Sequence, residues 1–184
     1  DRVLKENRWT IDELKGLEIK GSTVGVVGTG SIGSLVAEKY AMMGAKVVAC
    51  DLYENEHLKE AYQVEYMSME DVFHRADIVS LHMKVTKENE NSIGDELFNA
   101  MKDGALLVNV ARAELVDRNA LVRALSQGTL GRAAIDVYNS EPPSEEDYAL
   151  AERDDVIATP HIGYYTQEAN DNSIIMTVDS ILKA

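Results

Sequence analysis

Residues 22–51 read Ser22-Thr23-Val24-Gly25-Val26-Val27-Gly28-Thr29-Gly30-Ser31-Ile32-Gly33-Ser34-Leu35-Val36-Ala37-Glu38-Lys39-Tyr40-Ala41-Met42-Met43-Gly44-Ala45-Lys46-Val47-Val48-Ala49-Cys50-Asp51. The apolar run Val24–Val27 has the length of a buried strand and leads directly into Gly28-x-Gly30-x-x-Gly33. A helical pattern follows until Gly44, and a second apolar run, Lys46–Cys50, stops on Asp51. Strand, glycine turn, helix, strand and acid together make the full context of a dinucleotide-binding fingerprint, which is far more specific than the glycines alone. Gly28 serves the tight turn, Gly30 lets a pyrophosphate approach the backbone, and Gly33 lets the helix pack closely. With Thr29, Ser31 and Ile32 completing the turn, the helix N-terminus offers unpaired N–H groups and a positive dipole end to the phosphates. Asp51 stands 23 residues beyond Gly28, where a carboxylate receives the ribose hydroxyls. It would repel a 2′-phosphate, so NAD is expected in preference to NADP.

Outward from this unit, strands and helices alternate. Ile32, Leu35, Val36, Tyr40 and Met43 recur at helical spacing and are expected to face the sheet. After Asp51 come a polar helix (54–61), a weak strand (64–67), a short helix capped by Ser68, and a strand at 78–81 ending on His82. A helix at 95–100, a strong strand at 105–110, a helix capped by Asp117 and stopped before Gly128, and a strand at 130–137 follow. Pro142-Pro143 opens what reads as an acidic loop to Asp155, before a short strand at 156–158 and a terminal helix from Thr166. That last helix carries Ile174, Ile175, Val178, Ile181 and Leu182 as its apolar face. Residues 1–21 read as a lead-in helix or turn with Trp9 packed on the domain edge. The alternation predicts an α/β, Rossmann-type, doubly wound parallel sheet in three α/β/α layers.

Bulk properties narrow the class. A chain of 184 residues with 45% hydrophobic and 27% charged residues suits one domain with a sizeable core. The net charge of −14 has no compensating Lys/Arg cluster, which argues against nucleic acid or an anionic membrane as partner. Apolar runs fall far short of a transmembrane length and no signal-like segment is present. Cys50 is the only cysteine, so no intrachain disulfide can form; it reads as a small core residue, and a reducing, cytoplasmic setting is expected. No Cys/His spacing suggests a metal site. The chain starts at Asp1 rather than Met, so it is expected to be a piece of a longer protein.

In an open parallel sheet, ligands bind beyond the carboxyl ends of the strands. Polar residues fall there repeatedly: Gly28 and Gly30, Asp51, His82, Asn109 with Arg112, Asp136 with Glu141, and His161. Moving hydride to or from an alcohol carbon requires a group that gives or takes the hydroxyl proton, a role for histidine. A carboxylate commonly orients that histidine and favours its charged form, and arginine holds an acid substrate bidentately. His161, Glu141 and Arg112 can fill these three roles.

The order and surroundings of these residues resemble the D-isomer-specific 2-hydroxyacid dehydrogenases. The matching blocks are Gly28-Thr29-Gly30-Ser31-Ile32-Gly33 with Asp51, Val108-Asn109-Val110-Ala111-Arg112, Leu115-Val116-Asp117, Asp136-Val137-Tyr138 with Glu141-Pro142, and Thr159-Pro160-His161-Ile162-Gly163. The resemblance implies that Arg112 binds the substrate carboxylate and carbonyl, that His161 is the acid/base, and that Glu141 pairs with it. It implies that Asp136 holds the nicotinamide carboxamide. Asn109 and Ala111, where their strand ends, are expected at the cofactor site, and His82 either walls that site or is a satisfied packing residue. Glu141 differs from the glutamine expected in the related formate dehydrogenases, which sets that substrate aside. Two positions depart from the family pattern: Ala113-Glu114 stands where a glycine usually follows the arginine, and Met83-Lys84 where a proline usually follows the strand ending at His82. The family's separate substrate domain has no counterpart in this chain. NAD binding with little or no turnover is therefore expected of the chain alone, and a homodimer is implied by the resemblance. A competing reading is an NAD(H)-responsive regulatory or protein-binding module without turnover.

Overall fold

The computed structural model describes Trp9 and residues 16–183. Strands β1 (Thr23–Val27), β2 (Lys46–Cys50), β3 (Glu65–Tyr66), β4 (Ile78–Leu81), β5 (Ala105–Asn109), β6 (Leu130–Ile135) and β7 (Val156–Ala158) form one sheet ordered β3-β2-β1-β4-β5-β6-β7. Every neighbouring pair is parallel. Helices α1 (Ser31–Met42), α2 (Glu56–Tyr62), α3 (Met69–Arg75), α4 (Asp95–Ala100), α5 (Arg118–Gln127), α6 (Glu145–Ala151) and α7 (Gln167–Leu182), with one 3-10 turn at Ala113–Leu115, complete the described elements. The strand order reverses between β1 and β4, the switch point that defines a doubly wound Rossmann-type fold.

Burial on both faces explains why β1 and β4 are short apolar runs rather than alternating ones. Val24 and Val26 pack in one cluster with Ala37, Val47 and Leu58, whereas Val27 joins Val72, Phe73 and Leu107 in the other. At Gly25, a Cβ would stand 2.6 Å from Val72 Cγ1, so α3 lies directly on the strand. Local signals set the helix ends. Asn55, Ser68, Asp117 and Thr166 each accept a hydrogen bond from a backbone N–H in the first turn of the helix that follows. Gly128, at φ 77°, closes α5 in the left-handed conformation.

Four expectations change. The α1 face toward the sheet is made by Gly33 and Ala37, with Val36 and Tyr40 partly buried beside them, while Ile32, Leu35 and Met43 are exposed. The cause is proximity: a Cβ on Gly33 would fall 1.8 Å from the Gly28 carbonyl oxygen, so only the smallest residues fit where the helix touches the turn. The acidic stretch after Pro143 is not a loop throughout, because Ser144 and Asp147 form a reciprocal capping box that starts α6. Trp9 is 83% exposed rather than packed on the domain edge; most of the lead-in segment expected over residues 1–21 lies outside the described residues. Helix α7 forms as expected, but its Ile174, Ile175, Val178, Ile181 and Leu182 are all exposed, since no described element lies over them.

Two carboxylates fasten elements together. Asp77 accepts from Thr23 N at 2.7 Å and pairs with Lys102 at 2.8 Å, tying the start of β4 to β1. Asp147 is buried, accepts from Ser144, and pairs with Arg118 at 3.1 Å, tying α6 to α5. For each, burial pushes the pKa up, but the hydrogen bonds and the neighbouring cation outweigh it and hold the carboxyl below its ordinary value.

Two predictions follow from this packing. Gly33→Ala should lower unfolding stability in urea by about 1–3 kcal/mol through overpacking. Gly30→Ala should change it by less than about 0.5 kcal/mol, because nothing lies within 4 Å of a Cβ there. Equal losses would contradict the geometry. Because the folded carboxyl pKa values lie below the unfolded ones, the unfolded state binds more protons in acid. Stability from Asp77 and Asp147 should thus be complete above about pH 4 and fall as pH drops through the folded values. Asp147→Asn should flatten that acid limb in a pH series of thermal unfolding; an unchanged slope would remove Asp147 from it.

Candidate functional site

The carboxyl edge of the sheet gathers the polar residues. Gly28 leaves β1 at φ 92° with its N–H donating to Cys50 O at 2.8 Å, which binds the turn to the end of β2. A Cβ there would lie 2.6 Å from Met83 N, so the backbone beyond β4 is pressed against the turn. This is where Met83-Lys84 departs from the expected proline. Helix α1 opens at Gly30 with no side-chain cap and no acidic residue in its first turn. Ser31 and Ile32 are exposed. An uncapped helix start facing open space at Gly30 has the shape and charge that a pyrophosphate requires.

Asp51 ends β2 beside this turn. Its Oδ2 accepts from Thr29 N at 2.5 Å and from Thr29 Oγ1 at 3.2 Å, and its Oδ1 accepts from Tyr53 N at 3.3 Å. Burial pushes its pKa up, yet these bonds outweigh it and keep the carboxyl below its ordinary value. The acid is thus ionised at neutral pH and fixed to the glycine turn. These residues fit the phosphate and ribose portions of a dinucleotide. His82 lies behind the turn: its Nε2 is 2.8 Å from Ser80 Oγ, its N–H donates to Val27 O at 2.7 Å, and burial pushes its pKa down.

At the other half of the edge, buried Asn109 shapes the loop that carries Arg112. Its Nδ2 donates to Arg112 O at 3.0 Å and its Oδ1 accepts from Ala111 N at 3.1 Å. Arg112 is exposed, donates to Ala111 O at 2.7 Å, and has no carboxylate in ion-pair distance among the described residues. Ala113, at the departure from the family's glycine, begins a single 3-10 turn to Leu115.

Asp136, just past β6, is buried and braces the loop after β7. Its Oδ1 accepts from Thr159 Oγ1 and from Ile162 N at 2.9 Å, and its Oδ2 from Gly163 N at 2.8 Å. Burial again pushes its pKa up, and these donors with the nearby imidazole bring it below the ordinary value. His161 sits in the braced loop at φ 54°, and its Nδ1 meets Glu141 Oε1 at 2.5 Å. The Tyr164 ring stands edge-on to the imidazole, centroids 6.2 Å apart. A histidine with one ring nitrogen committed to a carboxylate presents the other, Nε2, for proton transfer.

The structure therefore joins His161 to Glu141 and Asp51 to the glycine turn, and it sets Arg112 on the loop after β5, the second strand from β7. Sequence reasoning passed over three supporting groups. Tyr66 donates to Thr29 Oγ1 at 2.9 Å, Tyr138 donates to Thr159 O at 2.9 Å, and Ser80 pairs with His82. Only their positions near strand ends hinted at them. No group of three or more His, Cys, Asp or Glu residues suited to a metal occurs among the described residues, and no described helix is long and apolar enough to cross a membrane.

Comparison with known proteins places this edge in context. Residues 1–163 match the model of the D-isomer specific 2-hydroxyacid dehydrogenase NAD binding domain. A hydroxypyruvate reductase of Thermotoga maritima is 38% identical over 98% of this chain and 58% of its own length. A D-3-phosphoglycerate dehydrogenase of Archaeoglobus fulgidus is 36% identical over 99% of this chain and 34% of its own length. Among solved structures, a D-lactate dehydrogenase from Sporolactobacillus sp superposes with a TM-score of 0.92 at 33% identity, covering 99% of this chain and 58% of that one. One from Aquifex aeolicus, complexed with NAD and lactic acid, gives 0.88 at 34% identity, over 100% and 60% respectively. The chain thus spans between about a third and three fifths of these relatives. With its sheet order, its glycine turn and its sequence in agreement, the chain belongs to the D-isomer-specific 2-hydroxyacid dehydrogenase family as an NAD-binding domain.

Proposed function

We propose that the full protein containing this chain transfers hydride between NAD and a D-2-hydroxy acid or the corresponding 2-oxo acid. The observation that carries the proposal is the 2.5 Å His161–Glu141 pair on the same sheet edge as the glycine turn and Asp51. Bound NAD would supply or accept the hydride. The Gly28–Gly33 turn would hold its pyrophosphate, Asp51 its adenosine ribose, and Asp136 the carboxamide through lone pairs not used by the 159–163 loop. His82, Asn109 and Ala111 belong to the wall of that site.

Arg112 grips the substrate carboxylate and polarises its carbonyl. In reduction, His161 gives a proton from Nε2 to the carbonyl oxygen; in oxidation it removes that proton from the hydroxyl. Glu141 holds the imidazole in place and stabilises its charged form. Similarity to a hydroxypyruvate reductase of Thermotoga maritima and to an aromatic 2-oxoacid reductase of Clostridium sporogenes supports a small acid as substrate. A second domain would close over the nicotinamide and exclude water, so this chain alone binds NAD with little turnover. A homodimer in the cytoplasm is part of the same reading.

With NADH and a panel of 2-oxo acids, the full-length protein should oxidise NADH with at least one. Inactivity with all of them would favour an NAD(H)-responsive binding module instead. His161→Ala should reduce turnover by roughly 10²–10⁴-fold, the scale of a positioned proton-transfer group, with NADH affinity unchanged; a near-normal rate would remove His161 from the chemistry. Titration of this chain should show tighter binding of NADH than of NADPH, and the reverse order would overturn the role given to Asp51.

A further inference from the structure

We propose that Tyr66 is a positioning residue for cofactor choice: its hydroxyl, acting through Thr29, fixes the Asp51 carboxylate in the orientation that selects NAD over NADP. This rests on the NAD-binding reading above and adds a residue outside the glycine turn and the acid.

Tyr66 lies on the edge strand β3, paired with Ala49 of β2, two residues before Asp51. From there its hydroxyl reaches the turn between β1 and α1. The Asn55 N–H lies 3.1 Å from Tyr66 Oη, Tyr66 Oη lies 2.9 Å from Thr29 Oγ1, and Thr29 Oγ1 lies 3.2 Å from Asp51 Oδ2. The ends of this chain fix its direction. An amide N–H can only donate and an ionised carboxylate can only accept. All three contacts are satisfied together only when Asn55 donates to Tyr66, Tyr66 donates to Thr29, and Thr29 donates to Asp51. Aligned bonds of this kind polarise one another.

Thr29 is 6% exposed, so water is a poor substitute for the tyrosine hydroxyl. Without Tyr66, the threonine hydroxyl loses its donor and gains freedom to turn from Asp51. The carboxylate would then be held on Oδ2 by the Thr29 N–H alone. A ribose diol needs both acceptor oxygens in fixed positions, whereas a 2′-phosphate is opposed only by the negative charge. Loosening the carboxylate therefore penalises NADH and spares NADPH.

The test is a titration of wild type, Tyr66→Phe, Thr29→Val and Asp51→Ala forms of this chain with NADH and NADPH, with thermal unfolding followed in parallel. Tyr66→Phe should weaken NADH binding about 3- to 10-fold, the scale of one net hydrogen bond, and leave NADPH binding unchanged. Thr29→Val should narrow the preference in the same direction, which keeps the proposal testable should Tyr66→Phe fold poorly. In the Asp51→Ala background, Tyr66→Phe should have no further effect on NADH. An unchanged NADH-to-NADPH preference in Tyr66→Phe, or an equal loss without Asp51, would overturn the proposal while leaving NAD binding intact. Failure of the wild-type chain to bind either nucleotide would overturn the cofactor reading and this inference together.

Discussion

The close approach of Gly33 to the Gly28 carbonyl, which leaves no room for a Cβ, governs the rest. A hydrogen in place of a methyl at residue 33 lets α1 begin directly against the turn leaving β1. That contact aims the helix N-terminus across the sheet edge and leaves the space around Gly30 open. Ile32 and Leu35, in the first turns of α1, point away from the sheet, while Val36 and Tyr40 pack against its core cluster. The same geometry thus explains a dinucleotide cradle and the exposed Ile32 and Leu35.

Carboxylates then organise the edge that this contact opens. Asp51 is tied to the glycine turn, Asp136 to the loop that bears His161, and Glu141 to the His161 imidazole. In each case an acid at or beyond the end of one strand binds a loop from another strand, so residues remote in sequence are held in register. Asp51 and Asp136 are partly or fully buried, and their donors, rather than solvent, keep them ionised. The strongly negative chain accordingly uses part of its charge as internal bracing, while the exposed remainder is spread over helix faces and loops.

The alternation of elements was legible because buried parallel strands are short apolar runs and most helix starts carry a recognisable cap. Lys46–Cys50, Ile78–Leu81, Asp95–Ala100 and Val156–Ala158 were each anticipated with their observed limits. On α1, Val36 and Tyr40 pack toward the sheet as the periodicity implies, but Ile32, Leu35 and Met43 do not, because periodicity ranks residues by hydrophobicity whereas contact with the turn selects Gly33 and Ala37 by size. Helix α6 was hidden by Pro142-Pro143 and by acidity, although Ser144-x-x-Asp147 carried its start signal. The exposed face of α7 could not be foreseen, since periodicity shows that a stripe is apolar and says nothing of what covers it. Of the site, the spacing of blocks pointed to His161 and Glu141, which the fold brings into contact. Tyr66 left no such trace, and Tyr138 stood in a block without a role, because a tyrosine hydroxyl that supports a loop has no fixed distance in sequence from the group it supports.

The most direct measurement is a crystal structure of the full-length protein with NADH and an unreactive 2-oxo acid analogue. The expected complex has the adenosine ribose on Asp51, the pyrophosphate over Gly30, and the analogue bridging Arg112 and His161 Nε2 beside the nicotinamide. An analogue bound away from these two side chains, or a dinucleotide lying elsewhere than the carboxyl edge of the sheet, would contradict it.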